Sequence, residues 1–168
     1  MWYLVLEVFM NKVLISKMPR DLSTQEARAL LMAFQDRMIK HPNAVMGGTP
    51  ECDSANGLCP LKHSFGDGCY IREIFMPKGT LIVSKIHKIK HPYFVLKGKV
   101  SVLTEKGVIQ IKAPYSGMTP AGTKRLLYMH EDTVWVTVHV TKKTDIAEIE
   151  KDIIAKDFDE LDKVKEMK

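Results

Sequence analysis

The most constraining feature of this chain is a run of short, strand-like segments in its second half. Proline and glycine separate these segments, for example at Pro77–Gly79, Gly98, Gly107 and Pro120–Gly122. Closely spaced β-branched and aromatic segments with such turns predict an antiparallel sandwich or barrel. The segments are Cys69–Met76, Thr80–Lys88, Tyr93–Gly98, Lys99–Glu105, Gly107–Ala113, Thr123–Met129 and Asp132–Thr141.

The residues before the strands predict one helix and a long loop. Ser23 is followed three residues later by Glu26, which is the spacing of a capping box, and apolar residues then recur at helical spacing to about residue 40. Residues 41–68 contain five glycines and three prolines, so we expect turns and loop there. The opening segment, residues 1–16, is either an extended strand that joins a sheet or translation upstream of a start at Met10 or Met18.

The last part of the chain predicts two helical segments. Asp145 and Glu148 can cap the first, whose isoleucines form one apolar stripe, and the charged tail forms the second. We expect both to pack on the outside of the sheet or against a second subunit. The chain therefore divides into residues 1–67 (strand, helix and loop), 68–141 (barrel) and 142–168 (helices), all within one domain of 1–168.

Composition is that of an ordinary globular protein, with 45% hydrophobic and 27% charged residues. The net charge of +5 is spread along the chain without blocks, so nucleic acid is not an expected partner. The longest apolar run is interrupted by Glu7, Asn11 and Lys12 and is shorter than a membrane span, which needs about 20 residues. Neither a membrane anchor nor a secretory leader is expected. Three cysteines, an odd number, favour a reducing, cytoplasmic location.

Two histidines lie close together in the strand region. Lys85 and His87 project to the same side of a strand, and His91 can begin the next strand and fold back beside His87 if the chain turns before Pro92. Neutral imidazole is a ligand for many first-row metals. The pair therefore indicates a candidate metal site.

The spacing of these residues resembles that of the cupin family. The first family motif is Gly, a spacer, His-x-His, three or four residues, Glu, six residues and Gly, and here Gly79, His87, His91 and Gly98 keep that spacing from the second histidine onward. The second motif is Pro-x-Gly-x-x-His, which appears here as residues 120–125. The resemblance covers residues 68–141 and implies an antiparallel double-stranded β-helix, the cupin barrel, with an N-terminal helix and one or two C-terminal helices.

The family's metal ligands are only partly kept. Lys85 stands at the position of the first histidine, His91 at that of the glutamate, and Arg125 at that of the last histidine, while His87 matches by identity. The resemblance thus implies a metal site whose third ligand must come from elsewhere.

His139 is the candidate for the third ligand. If residues 123–129 and 133–139 form a hairpin with a three-residue turn at His130–Asp132, His139 faces the same side as Arg125. A two-residue turn would direct it away. We expect His87, His91 and His139 to bind a divalent first-row ion such as Zn, Fe, Mn or Ni. The alternative is three structural histidines in a barrel without metal.

Lys85 and Arg125 are candidate ligand-binding residues. Positive charge beside a divalent ion is unfavourable unless an anion lies between them, and arginine presents paired donors to a carboxylate or phosphate. Both residues thus indicate a small anionic ligand, with Glu73 as a candidate acidic partner; alternatively they are solvated surface charges.

Other groups have weaker patterns. Cys52, Cys59, His63 and Cys69 are either zinc ligands or unpaired loop residues, and their spacing fits zinc poorly. His130, Glu131 and Asp132 are either acid–base groups or residues of an exposed turn.

Two functions of different class remain open, and the sequence leaves open whether the protein is an enzyme. One is a metal-binding cupin that acts on or binds a small anionic molecule by an unknown reaction. The other is a non-enzymatic cupin that serves as a ligand-binding, assembly or virion-associated accessory protein. A homodimer is expected in either case. The segments at 122–125 and 130–139 also resemble short cupin proteins encoded by bacteriophages, which implies the host cytoplasm.

Overall fold

The computed structural model describes residues 4–7 and 23–166, which form four helices and thirteen strands. The helices are α1 (Thr24–Ile39), α2 (Pro50–Asp53), α3 (Ile146–Ile153) and α4 (Phe158–Glu166). The strands are β1 (Leu4–Glu7), β2 (Val45–Met46), β3 (Leu61–Gly66), β4 (Cys69–Met76), β5 (Thr80–Val83), β6 (Ile86–His87), β7 (His91–Lys97), β8 (Lys99–Thr104), β9 (Gly107–Lys112), β10 (Tyr115–Thr119), β11 (Leu126–Met129), β12 (Thr133–Val140) and β13 (Ile154–Ala155). None of the helices in these ranges is both long and apolar enough to cross a bilayer.

Two antiparallel sheets form the barrel. The strand orders are β2-β1-β5-β11-β8-β9 and β10-β7-β12-β4-β3. The strands β4, β5 and β7–β12 are divided between the sheets as four facing four, in the strand order of the jelly roll, or double-stranded β-helix. The predicted fold class is therefore confirmed, together with its N-terminal helix and its C-terminal helices. The opening segment joins a sheet at β1, which pairs with β5 and β2.

The core lies between the sheets because the strands alternate apolar and polar faces. On β4, Tyr70, Arg72, Ile74 and Met76 are buried while the residues between them are more exposed. The corresponding inward residues of β7, β8, β11 and β12 complete a single cluster that contains Trp135.

Helix α1 begins and packs as the sequence predicts. Ser23 accepts a hydrogen bond from the backbone N–H of Glu26, and the Glu26 carboxylate accepts one from the Ser23 backbone N–H, which completes the capping box. Leu31 and Met38 pack on Leu81, Val83 and further residues on the outer face of the six-stranded sheet. That face is therefore covered by a helix.

The C-terminal segment lies against the end of the barrel rather than on the outer face of a sheet. Asp145 caps α3, whose Ile149 and Ile153 pack on Tyr70. Strand β13 then pairs with β6, where Ile154 lies opposite His87. This packing places α3 and β13 next to the residues at the start of β7 and the end of β12.

The predicted hairpin of residues 123–129 and 133–139 is wrong. Strand β11 pairs with β5 and β8, whereas β12 pairs with β4 and β7, so the two strands belong to different sheets. The loop at His130–Asp132 is a corner between sheets. Three polar residues suit a corner as well as a hairpin turn, and the sequence gives no local sign that separates the two.

Candidate metal centre

Three histidines converge at one end of the barrel. The ring nitrogens of His87, His91 and His139 that face one another all lie within 4.8 Å. The ring centroids are 4.3 Å apart for His87 and His91, 4.4 Å for His91 and His139, and 5.7 Å for His87 and His139. Among the described residues this is the one group of three or more His, Cys, Asp or Glu side chains that could share a metal ion.

Sheet register explains the convergence of His91 and His139. Strands β7 and β12 are neighbours, and their paired residues run to Thr137 opposite Tyr93. His139 and His91 lie two residues further along each strand in the antiparallel direction, so both face the barrel interior at the same level. His87 reaches them from β6. His139 therefore faces the barrel interior, as the sequence predicted, but it does so because β12 pairs with β7 and not because of a hairpin with β11.

The hydrogen bonding of His91 defines its tautomer. Its Nδ1 lies 3.1 Å from the carbonyl oxygen of Ile89. A carbonyl only accepts, so Nδ1 carries the proton and donates it, and Nε2 of the neutral ring keeps its lone pair. That Nε2 is buried and has no hydrogen-bond partner among the described residues. A buried acceptor nitrogen without a hydrogen-bond donor can be satisfied by a metal ion, which accepts its lone pair.

The environment keeps all three imidazoles neutral. Burial lowers the pKa of His139 to about 3, helped by the charges of His91 and Arg72. Burial also lowers the pKa of His87 well below its ordinary value, and it lowers the pKa of His91, in both cases with a contribution from Arg125. Neutral imidazole is the form that binds metal.

Arg125 lies inside the barrel beside the histidines. The residue is 8% exposed, and its guanidinium donates to Thr119 Oγ1 and packs 4.9 Å from the centre of the Tyr93 ring and 5.5 Å from that of Trp135. Burial lowers the pKa of Arg125 to about 10, so the group is still cationic at neutral pH. The aromatic faces hold the guanidinium in place without neutralising it.

Arg72 is a second buried cation near the histidines, and the sequence reading missed its role. It lies on β4 opposite Thr137, and burial lowers its pKa to about 9 while Glu150 opposes that shift. The alternation of residues along β4 could have identified Arg72, because it places Arg72 on the inward face between Tyr70 and Ile74. Glu150, on α3, was also missed, because nothing in the local sequence distinguishes it from the other carboxylates of that helix.

Lys85 does not share the surroundings of Arg125. Its Nζ lies 3.7 Å from a carboxylate oxygen of Glu150, beside the C-terminal helices. Glu73, the acidic partner suggested by the sequence, sits on the opposite face of β4 from Arg72 because the two are consecutive strand residues. The carboxylate that lies beside Lys85 and acts on Arg72 therefore comes from α3.

The cysteine-rich loop does not assemble a metal site. Cys52 and Cys59 are fully buried in the barrel core, where the neighbouring Cys59 thiol and burial raise the pKa of Cys52. His63 contacts Tyr70, with 2.7 Å between its Nδ1 and the phenol oxygen.

The turn residues His130 and Asp132 also contact other parts of the fold. His130 lies 2.7 Å from Ser101 Oγ, and the Asp132 carboxylate accepts a hydrogen bond from the backbone N–H of Lys78. These contacts tie the turn to the fold.

Comparison with known proteins gives structural neighbours only. No protein-family model and no curated protein sequence matches this chain. Solved structures that match include an acetylacetone dioxygenase from Acinetobacter johnsonii (18% identity, TM-score 0.43, 49% of this chain and 59% of that one). Others are the EutQ protein of Clostridium difficile (12%, 0.42, 49% and 61%) and a predicted oxalate decarboxylase from Thermotoga maritima (15%, 0.42, 49% and 79%). The aligned region thus spans about three fifths of the dioxygenase and of the EutQ protein.

The donor set at the barrel end suits a first-row divalent ion. Three neutral nitrogens, with no carboxylate in the group, are a ligand set that Zn, Fe, Ni and related ions accept, and three protein ligands leave coordination positions open. The three ligand atoms lie within 4.8 Å of one another, and metal–nitrogen bonds of about 2.0–2.1 Å would draw them closer together. The residues present therefore fit a metal ion.

Proposed function

We propose that this protein binds a divalent first-row metal ion, such as Zn, Fe, Mn or Ni, through His87, His91 and His139. The observation that carries the proposal is His91, whose Nδ1 is occupied by the Ile89 carbonyl and whose buried Nε2 has no partner among the described residues. A bound ion would supply Lewis acidity to a ligand oxygen. The protein supplies the ligands, their tautomers and a site from which water is largely excluded.

The ligand that joins the metal is a small organic anion held by Arg125. Arg125 and Arg72 both lower the pKa values of histidines in the group, so a divalent ion there would face two cations, with the Glu150 carboxylate acting on Arg72. An anion relieves this repulsion, and the Arg125 guanidinium can donate two parallel hydrogen bonds to a carboxylate or phosphate. Oxygenation, isomerisation and lyase chemistry all remain compatible with such a site.

The metal proposal is tested by elemental analysis of the protein purified without a histidine tag. We expect close to one ion per chain, and less than about a tenth of that in His87→Ala, because two imidazoles bind a divalent ion much more weakly than three. His41→Ala is the matched control, since His41 is exposed in the loop after α1. A protein that contains no metal and takes up none of Zn, Fe(II), Mn or Ni on incubation would refute the proposal.

A second candidate function, that of an assembly module, is favoured by the outer face of the five-stranded sheet. The outward residues of its strands β7 and β12 are mostly apolar, and Leu96 and Val140 are 57% and 92% exposed. A sheet with one face in water normally alternates apolar and polar residues. We propose that a second copy of the chain covers this face to form a homodimer, which is compatible with either function.

A cytoplasmic location is proposed on the cysteines. All three are free thiols, and Cys52 and Cys59 are buried side by side in the core without forming a disulfide. This state suits a reducing compartment. The resemblance to phage-encoded proteins stays a prediction.

A further inference from the structure

A cavity lies outside the barrel, between α1 and the C-terminal helices. It has a volume of about 750 Å³, which is within the size range of small-molecule sites. Strand β6 separates it from the histidines: Ile86 lines the cavity, while the next residue, His87, belongs to the metal centre. The cavity is therefore a different site, and its occupancy does not depend on the proposed metal.

The walls of this cavity combine an apolar surface with positive charge. Ile39, Met46, Val83, Ile86 and Ile154 supply the apolar part. Five lysines and two glutamates supply the charged part. Two of the lysines are paired, Lys85 with Glu150 at 3.7 Å and Lys88 with Glu160 at 2.6 Å. The other three, Lys124, Lys151 and Lys156, leave a surplus of positive charge. We call this cavity the lysine cleft.

Lys124 is the group that distinguishes the lysine cleft from an ordinary charged surface. It is 4% exposed, and its Nζ donates to the side-chain oxygen of Gln35 at 2.6 Å and to the carbonyl of Ser84 at 3.1 Å. Both hydrogen-bond acceptors are uncharged, and the carboxylate of Asp36 acts on Lys124 through its charge without being one of these two acceptors. An ammonium group has three N–H donors, so one donor is left for a ligand. Gln35 on α1 and Ser84 after β5 fix the position of the ammonium group before any ligand arrives.

We propose that the lysine cleft binds an amphipathic organic monoanion, with its carboxylate on Lys124 and its apolar body against Ile39, Val83 and Ile154. A carboxylate supplies the charged hydrogen-bond acceptor that neither Gln35 nor Ser84 provides, and a charge-assisted hydrogen bond in a buried setting is stronger than a neutral one. The apolar wall favours a ligand with a hydrocarbon or aromatic body over a small hydrophilic anion. Lys151 and Lys156 add long-range attraction for negative charge.

The test is calorimetric titration of the full-length protein with octanoate. We expect saturable binding of one octanoate per chain, no binding of octylamine, which has the same chain and the opposite charge, and at least tenfold weaker binding of acetate. Lys124→Met should weaken octanoate binding at least tenfold, whereas Lys124→Arg, which keeps the charge, should stay within about threefold. Lys106→Met, an exposed lysine at the β8–β9 turn, is the matched control and should bind as the unaltered protein does.

A second measurement needs no variant and so does not depend on the folding of Lys124→Met. Brief treatment of the unaltered protein with acetic anhydride, followed by peptide mass spectrometry, reports the accessibility of each lysine. Octanoate should protect Lys124 at least threefold and leave Lys106 unprotected. Equal binding of octanoate and octylamine, an absence of octanoate binding, or protection that is equal at both lysines would each overturn the proposal. His139→Gln should retain octanoate binding, which separates this site from the metal centre.

Discussion

At the residue scale, the notable feature is the number of cations that this small fold buries. Arg72, Lys124 and Arg125 are each less than a tenth exposed, and each lies beside a candidate binding site. Burying a charge is costly unless it is paired or hydrogen-bonded, so buried cations that cluster near a cavity indicate a candidate functional site. Arg72 and Arg125 flank the histidines, and Lys124 lies in the lysine cleft.

Lys124 gives a prediction at this scale. Burial lowers its pKa from 10.5 to about 8, with Asp36 opposing the shift. We expect one lysine side chain to titrate near pH 8 in ¹³C NMR of protein labelled at lysine Cε, and Lys124→Arg should remove that signal. A titration in which every lysine signal moves near pH 10.5 would contradict this.

The lowered pKa of Lys124 also makes the free energy of unfolding depend on pH, because the folded and unfolded chains bind the proton of Lys124 differently. Between pH 8 and pH 10.5 the unfolded chain holds a proton on Lys124 that the folded protein has largely lost, so this residue makes the fold more stable as the pH rises through that window. The slope from one group is at most about 1.4 kcal/mol per pH unit. Urea denaturation of the unaltered protein and of Lys124→Arg across this window measures the difference.

At the scale of elements, the corners between the two sheets are the critical positions. Gly98 joins β7 in one sheet to β8 in the other and has a φ of +93°. A Cβ at this position would lie 2.4 Å from the carbonyl oxygen of Asp132 and 2.9 Å from the Cα of Thr133. Both contacts are with backbone atoms, so the strands themselves would have to move.

We therefore expect Gly98→Ala to be strongly destabilising. Gly68→Ala is the matched control, because Gly68 has a φ of +78° but no atom within 4 Å of the added Cβ. The control should lose about 1–2 kcal/mol from backbone strain alone. Gly98→Ala should lose about 1–3 kcal/mol more from the clash. Equal losses in the free energy of unfolding, measured by urea denaturation, would show that the corner relaxes without cost.

At the scale of the whole molecule, the two sheets differ in what covers their outer faces. Helix α1 covers the six-stranded sheet, whereas no helix in the described ranges packs on the outer face of β7 and β12. Apolar side chains on that face, among them Phe94, Leu96 and Met118, are 37%, 57% and 50% exposed. Contiguous apolar patches on a sheet mark a site of association.

The proposed homodimer makes a prediction at this scale. Leu96→Lys should convert a dimer to a monomer in light scattering, because it places a charge on the apolar face. Val108→Lys is the matched control, since Val108 is 43% exposed on β9 of the other sheet, and this variant should stay dimeric. If the unaltered protein is a monomer at micromolar concentration, this face does not hold a second copy.

The sequence by itself predicted most of the elements and the three histidines that the structure brings together. It missed β3, which lies in the predicted loop of residues 41–68, and β10. Apolar spacing and a capping box located α1, glycines and prolines separated the strands, and the resemblance carried by Gly79, His87, His91 and Gly98 implied the double-stranded β-helix. These are local patterns, and the backbone responds to them within a few residues, so they can be read without knowing which strands are neighbours. The role of the histidines as metal ligands stays a prediction for the elemental analysis.

Only the tertiary structure decided which strands meet. His139 approaches His91 because β12 pairs with β7, and not through a hairpin with β11; Arg72 and Glu150 approach the same region from β4 and from α3. A short polar loop such as His130–Asp132 looks the same in sequence whether it closes a hairpin or carries the chain across to the opposite sheet. The choice depends on the burial of all the strands together, which no local segment encodes.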